Sequence, residues 1–201
     1  MNVHTHWLGG ALAGAALAHC AAHLPAAPLV AAAVLAAPLP DLDHPGSAYG
    51  RWLPLPGVAR IRGHLEPFRP GPFGNAAAAG GQVGRVTPFG ILWHRGPLHS
   101  LAAAGGFAVV AASVARSLVP ANALAIGWGV FAGCLSHLAL DALNTMGQAL
   151  FWPLSRTRWR LPWPRWPVGS AGETLIGAAL LGGLLLWGRD VTNVLAARGG
   201  W

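Results

Sequence analysis

The chain has 201 residues, of which 54% are hydrophobic and only 9% are charged. A soluble domain carries about 25% charged residues, so this composition excludes an ordinary soluble fold. All thirteen basic residues are arginines, the formal net charge is +7, and the arginines lie between apolar blocks. This arrangement is typical of the cytoplasmic loops of a membrane protein, and we expect no nucleic-acid partner.

Five apolar segments predict about five transmembrane helices in an all-α, polytopic fold, with residues 1–201 forming one membrane-embedded domain. The first two segments, residues 7–23 and 25–39, are short and Ala-rich, and they either span the bilayer or form a partly interfacial hairpin. The third, at residues 98–118, is about 31 Å long at 1.5 Å per residue, which is enough to cross the hydrocarbon core. The last two segments are residues 123–143 and 173–187.

Two polar connections join these segments. Residues 44–93 are rich in Gly and Pro and predict an irregular loop without helix or strand. Residues 144–172 interleave Trp with Arg and Pro, which indicates either a connection lying on the headgroup surface or an ordinary anchored loop. If the N-terminus is cytoplasmic, ten of the thirteen arginines lie in or beside these two connections. The excess predicts a multi-pass inner-membrane protein with its N-terminus in the cytoplasm.

Ionisable side chains gather at the cytoplasmic end of this topology. Four of the six acidic residues and most of the nine histidines fall there. Such groups are costly at membrane depth and tend to be functional. Carboxylates combined with imidazoles are the ligands that zinc and manganese take. The residues of this predicted layer are His4, His6, Asp41, Asp43, His44, His94, His99, His137, Asp141 and Glu173.

Two short motifs supply the strongest candidate ligands. His137 and Asp141 are one helical turn apart, so their side chains share a face and either bind one ion or form a structural hydrogen bond. The sequence Pro-Asp-Leu-Asp-His-Pro at residues 40–45 carries three ligand-type side chains. Asp41 and Asp43 repel each other unless a cation or a proton lies between them. The alternative is an Asp-rich turn capped by Asp43.

The remaining candidates surround a predicted helix start. The sequence His-Arg-Gly-Pro-Leu-His-Ser at residues 94–100 places His94 and His99 as candidate ligands on a turn. Arg95 is either a clamp for a phosphate group or an interfacial anchor.

Three further candidate site residues, less favoured than those above, lie at the starts of two other predicted helices. His4 and His6 are either ligands or a polar cap of the first helix. Glu173 lies at a predicted helix N-terminus, where the dipole favours a carboxylate whatever its role. The candidate catalytic groups are Asp43, Glu173 and Arg95.

The order of these motifs resembles the YdjM-like family of membrane-bound metal-dependent hydrolases. The matching motifs are His-x-His at residues 4–6, Leu-Pro-Asp-Leu-Asp-His-Pro at 39–45, His-Arg-Gly-x-x-His-Ser at 94–100, Gly-x-x-Ser-His-x-x-x-Asp at 133–141, Gly-x-x-x-x-x-Pro at 147–153 and Gly-Glu at 172–173. They span nearly the whole chain. Asn144, where the family has Thr, and a Gly-rich insertion around residues 63–90 depart from the pattern. The resemblance implies a metal-dependent hydrolase.

We therefore expect a divalent metal cofactor, zinc or alternatively manganese, that activates water against an ester or phosphoester of a lipid, a lipid-linked or another membrane-proximal substrate. The candidate ligands exceed the coordination of one ion, so two ions bind or some residues are outer partners. Two other classes stay open. One is a non-enzymatic membrane protein with a structural metal site or a partner-recruiting loop. The other is a metal or proton transporter, which needs ionisable groups at mid-membrane.

Overall fold

The computed structural model describes residues 1–44, 47–51, 84–87, 90–144, 147–161 and 168–197. These residues confirm the predicted all-helical fold. Most of the predicted loop at residues 44–93 and part of the connection at 144–172 lie outside the described residues. The α-helices of the described part are α1 (Val3–Cys20), α2 (Ala26–Ala36), α3 (Leu101–Leu118), α4 (Ala123–Ala142) and α5 (Ala171–Ala197).

The helices coincide with the five apolar segments, and their ends differ from the predicted ones for local reasons. α2 ends at Ala36 because Pro38 and Pro40 cannot continue an α-helix, and the chain goes on as a 3-10 turn at Leu39–Asp43. α3 begins at Leu101 because the hydroxyl of Ser100 caps it, accepting a hydrogen bond from the Ala103 N–H at 3.1 Å.

A short β-hairpin corrects the prediction that residues 44–93 contain no strand. β1 (Gly84–Thr87) pairs antiparallel with β2 (Gly90–Trp93), and Val86 stands opposite Ile91. β-branched residues at such positions favour an extended backbone. The second strand leads directly into the His-Arg-Gly turn, so the hairpin lies next to one of the candidate motifs.

The centre of the bundle is α4, which packs against α1, α2 and α3, whereas α5 packs against α1. Small residues allow the backbones to approach closely. A Cβ added at Gly133 of α4 would stand 2.2 Å from the carbonyl oxygen of Ala33, and one added at Gly10 of α1 would stand 2.7 Å from the same oxygen. α2 therefore packs closely against both α1 and α4 at the buried Ala33. Small residues permit such close packing of helices in membranes.

Among the described residues, three segments are long and apolar enough to cross a membrane: Ala26–Asp43, Leu101–Leu118 and Pro120–Ala142. Ala171–Trp187 is a shorter apolar helix. α3 is peripheral, and its Val109, Val114 and Leu118 side chains point outward. Exposed aliphatic side chains in such numbers are stable when the surrounding medium is hydrocarbon rather than water. The chain is a helical membrane protein.

Candidate metal centre

The polar ends of several helices meet at one end of the bundle. α1 begins there, α2 ends in its 3-10 turn there, and α4 ends there. A second 3-10 turn, Pro97–His99, precedes α3 at the same end and holds His99 just outside the helix. The side chains that these segments bring together are His6, Asp41, Asp43, His94, Arg95, His99, His137 and Asp141.

Four of these side chains form a first group, Asp41, His99, His137 and Asp141, whose ligand atoms all lie within 4.8 Å of one another. His99 Nε2 lies 3.3 Å from both His137 Nε2 and Asp41 Oδ1. Asp141 Oδ2 lies 3.7 Å from His99 Nε2 and 3.6 Å from His137 Nε2, which is also 3.6 Å from Asp41 Oδ1. Four ligands at about 2.0–2.1 Å from a zinc ion stand about 3.3 Å apart in a tetrahedron. The group can therefore hold a divalent ion.

A second group, Asp43, His94 and His99, shares the His99 ring with the first. Asp43 Oδ2 lies 3.4 Å from His99 Nδ1, the ring nitrogen that faces away from the first group, and Asp43 Oδ1 lies 3.0 Å from His94 Nδ1. A carboxylate on the far nitrogen of a ligating histidine fixes the tautomer and the ring orientation. Asp43 is placed for that role. His44 is beside this group, with its ring centroid 4.8 Å from that of His94.

Burial and charge at the site favour a cation. Burial alone would lower the pKa of His99, but the carboxylates of Asp43 and Asp41 outweigh it and raise that pKa to about 9. At His44, burial and the neighbouring His94 ring lower the pKa. The carboxylates thus stabilise a positive charge at His99, which a bound divalent ion would also supply.

Several buried polar atoms around the site form no hydrogen bond in the described part of the chain. Among them are Nδ1 of His6 and Nδ1 of His137. A buried polar atom without a partner costs about 1–3 kcal/mol. The fit to a metal ion rests on the spacing and donor chemistry of the first group, whose ligand atoms lie within 4.8 Å of one another.

The carboxylate of Asp141 lies between cationic groups. Arg95 Nη2 is 2.9 Å from Oδ2, and the ammonium group of Met1 is 3.0 Å from Oδ1. Arg95 is buried and has φ 62°, in the left-handed region that costs a residue with a side chain about 1–2 kcal/mol. Arg95, for which the sequence predicts either a phosphate clamp or an interfacial anchor, thus forms an ion pair with the candidate ligand Asp141.

His6 is brought into the site beside a ligand. Its ring stacks on His137 with centroids 3.7 Å apart and planes 16° from parallel, and its Nε2 lies 3.6 Å from Asp141 Oδ1. The structure does not bring His4 to the two groups. That side chain is exposed, and its ring meets Trp7 edge-on with centroids 5.6 Å apart.

Glu173 joins two helices rather than contacting the two groups of the described site. Its Oε1 accepts hydrogen bonds from the Asn2 N–H and, at 3.4 Å, from the Thr5 hydroxyl at the start of α1. Its Oε2 accepts one from the Gly169 N–H at 2.6 Å. Ser170 completes the start of α5 because its hydroxyl accepts from the Glu173 N–H at 3.4 Å, as in a capping box.

The comparisons with known proteins agree with the order of the motifs. The family profile described as YdjM inner membrane protein matches residues 1–197. The chain belongs to the YdjM family. The predicted resemblance is thereby confirmed, and the chain is an inner-membrane protein of that family with a buried His/Asp cluster that could hold a metal ion.

Two curated relatives within the YdjM family show how much of the chain is shared. Each is described as inner membrane protein YdjM, one from Escherichia coli (strain K12) and one from Shigella flexneri. Each is 33% identical over 141 residues, which are 67% of this chain and 53% of the relative. The match therefore spans about half the length of those relatives. No solved structure matches the chain.

Proposed function

We propose that this member of the YdjM family is a metal-dependent hydrolase acting at the membrane surface. The observation that carries the proposal is the spacing of the Asp41, His99, His137 and Asp141 ligand atoms, combined with the partial exposure of one of them. The Asp41 side chain is 18% exposed, whereas the other three are 1% exposed or less. Structural zinc sites are closed and catalytic ones keep an open position. An ion held by four protein ligands takes a catalytic water only as a fifth ligand. The exposed edge at Asp41 is the side from which such a water would reach the ion, which supports a catalytic site.

The donor set supports zinc, with manganese as the alternative, since imidazoles and carboxylates suit both ions and the spacing suits a tetrahedral one. When bound, such an ion lowers the pKa of a coordinated water and supplies a nucleophile at neutral pH. The chain's own residues hold the ligands in place. Asp43 contacts the far side of His99, His6 stacks on His137, and Arg95 neutralises Asp141.

The pair of His94 and Asp43 supplies a second element of hydrolytic chemistry. His94 is partly exposed, and its Nδ1 lies 3.0 Å from Asp43 Oδ1 and 3.8 Å from Asp41 Oδ1, so the carboxylates orient this nitrogen and leave Nε2 as the one that can accept a proton. An imidazole that is oriented by a carboxylate is the usual arrangement of a general base. We therefore assign proton transfer to Nε2 of His94, with Asp43 as the residue that positions the ring through Nδ1.

The place of the site suggests the substrate and the topology. The ligands lie where the apolar helices end, which is the headgroup level, so the proposed substrate is an ester or phosphoester of a lipid, a lipid-linked or another membrane-proximal molecule. Arg51, Arg95 and Arg156 lie at the same end of the bundle, which supports a multi-pass protein with this end and its N-terminus in the cytoplasm. A reporter active only in the cytoplasm, fused after residue 201, should be silent. An active reporter contradicts this topology.

The hydrolytic proposal is tested with purified protein in phospholipid vesicles. Release of a water-soluble headgroup and of fatty acid is measured before chelation, after chelation and after zinc is added back. We expect hydrolysis that chelation abolishes and zinc restores. His137→Ala should lower the rate by more than about 100-fold, beyond the effect of losing an outer partner.

The matched control is His19→Ala, because His19 is exposed near the opposite end of α1. That variant should keep the wild-type rate. Hydrolysis that survives both chelation and His137→Ala would contradict the proposal. Retained metal without hydrolysis of any vesicle lipid would favour a structural metal site instead.

A further inference from the structure

An apolar groove lies along the bundle between α2 and α4, and we refer to it as the α2–α4 groove. It is about 590 Å³ in volume, within the range of ligand pockets. Its lining residues are Pro28, Ala32 and Leu35 on α2, Leu39 in the following 3-10 turn, and Ile126 and Val130 on α4. The α2 residues recur at helical spacing and form one stripe of the helix. The metal-binding side chains do not line it.

We propose that the α2–α4 groove binds one acyl chain of a membrane phospholipid. From Pro28 to Ala36 the groove follows α2 for about 12 Å at 1.5 Å per residue, and Leu39 extends it into the 3-10 turn. Half of the hydrocarbon core is about 15 Å thick. The groove therefore spans one leaflet. In an inner-membrane protein, an open apolar groove of this depth faces lipid chains.

The groove runs toward the candidate metal centre along both of its walls. On one wall, Leu39 lines the groove and begins the 3-10 turn that carries Asp41. On the other, Val130 lines the groove and His137 follows about 10 Å farther along α4. An acyl chain in the groove brings the ester and phosphate of its lipid to the level of the cluster. If the cluster is the proposed hydrolytic site, its substrate class is therefore a phospholipid; this step rests on the proposed function.

The mouth of the groove carries groups that suit a lipid headgroup region. Tyr49 lines the groove, and its hydroxyl donates a hydrogen bond to the Leu35 carbonyl at 2.8 Å. Tyrosine is enriched at this depth of the bilayer because its ring is amphipathic. Arg51 follows in the same turn and is exposed, so the turn that carries Tyr49 also offers a positive charge of the kind that attracts a lipid phosphate.

The test uses the full chain in vesicles of phosphatidylethanolamine and phosphatidylglycerol, doped with a phosphatidylethanolamine that carries a diazirine on one acyl chain. After illumination, labelled residues are assigned by fragmentation mass spectrometry. We expect labels concentrated on the groove-lining residues of α2 and α4 rather than spread along the exposed face of α3. Ala31→Phe, at an exposed position that lines the groove, should lower this labelling at least about fivefold because the phenyl ring fills the space.

The matched control is Ala179→Phe, since Ala179 is exposed on α5 and outside the groove. It should leave the labelling unchanged, and both variants should keep the wild-type elution volume and metal content. Labels spread evenly over all lipid-facing helices, or crosslinks to a second chain in the groove, would overturn the proposal. The hydrolytic proposal has a separate readout, because His137→Ala should remove metal and leave the groove labelling intact.

Discussion

Asp43 is fully buried and touches two histidines, one of which also belongs to the first ligand group. If Asp43 orients His99 rather than holding the ion, Asp43→Asn should weaken metal binding about 10–100-fold without abolishing it. Asp41→Ala should remove binding, since Asp41 belongs to the first group. Competition with a chelating dye measures both affinities. Equal, complete loss of metal in the two variants would show that Asp43 is itself a ligand.

The ion pair of Arg95 and Asp141 is buried on both sides. Removing one partner of such a pair leaves an uncompensated charge and costs about 3–5 kcal/mol. Arg95→Ala should lower the free energy of unfolding by that amount, whereas Arg156→Ala, at an exposed arginine, should change it by less than about 0.5 kcal/mol. Denaturant unfolding in detergent measures the unfolding free energies of the two variants and of the wild type. An Arg95→Ala variant as stable as the wild type would mean that the guanidinium serves an external anion.

At the scale of residues, the sequence predicts which side chains belong to the metal site better than it predicts which other groups contact them. Asp41 and His137 could be placed together because both follow or end an apolar segment on the same side. The ammonium group of Met1 beside Asp141 and the ring stacking of His6 on His137 could not be predicted. These contacts depend on how α1 is rotated against α4, and no local pattern in the sequence sets that rotation.

Close packing of α4 against α2 positions His137 and Asp141 relative to the turn that carries Asp41. Gly133→Ala would bring a Cβ to within 2.2 Å of the Ala33 carbonyl oxygen, so the helices must separate. We expect a loss of about 1–3 kcal/mol in unfolding free energy.

The control for this packing is Gly106→Ala in α3, where an added Cβ would meet nothing within 4 Å in the described part of the chain apart from its neighbours and the backbone of its own helix. That change should be neutral or stabilising by up to about 1 kcal/mol, since Ala is the better helix former. Thermal unfolding in detergent measures both variants. Similar unfolding temperatures for the two would contradict the close approach at Ala33.

Glu173 joins the starts of α1 and α5, and Glu173→Gln tests whether that is its whole role. Gln replaces one acceptor oxygen by an NH2 group, which cannot accept from the Asn2 or Gly169 N–H, so the change should cost about 1–3 kcal/mol of stability. Metal content should stay at the wild-type level because Glu173 contacts neither ligand group. Elemental analysis and thermal unfolding on the same sample check both. Loss of the metal would assign Glu173 to the site.

At the scale of elements, hydropathy predicts all five helices, and prolines and capping residues account for the ends of α2 and α3. The Gly-x-x-x-Gly spacings at residues 10–14 and 129–133 are visible in the sequence and indicate close helix packing. The prediction that residues 44–93 contain no strand is wrong, because neighbouring Gly and Pro residues obscure the two strands β1 and β2, each only four residues long. α5 continues to Ala197 because no proline ends it at the predicted boundary.

At the scale of the whole molecule, the candidate site is a consequence of helix direction. Helices α1 and α4 and the turns next to α2 and α3 carry their candidate ligands at the same end of the bundle, so residues distant in sequence meet in one layer. The interior of the bundle stays apolar and small, which leaves no chain of ionisable groups across it in the described part. This arrangement suits chemistry at the membrane surface and argues against the transporter alternative.

The most direct test of this account is the metal content of the purified full chain beside Asp41→Ala and His137→Ala, whose side chains come from different helices and meet at 3.6 Å. The account predicts a bound divalent metal in the wild type, lost from each variant while both remain folded. A wild-type content of metal that persists unchanged in both variants would contradict it.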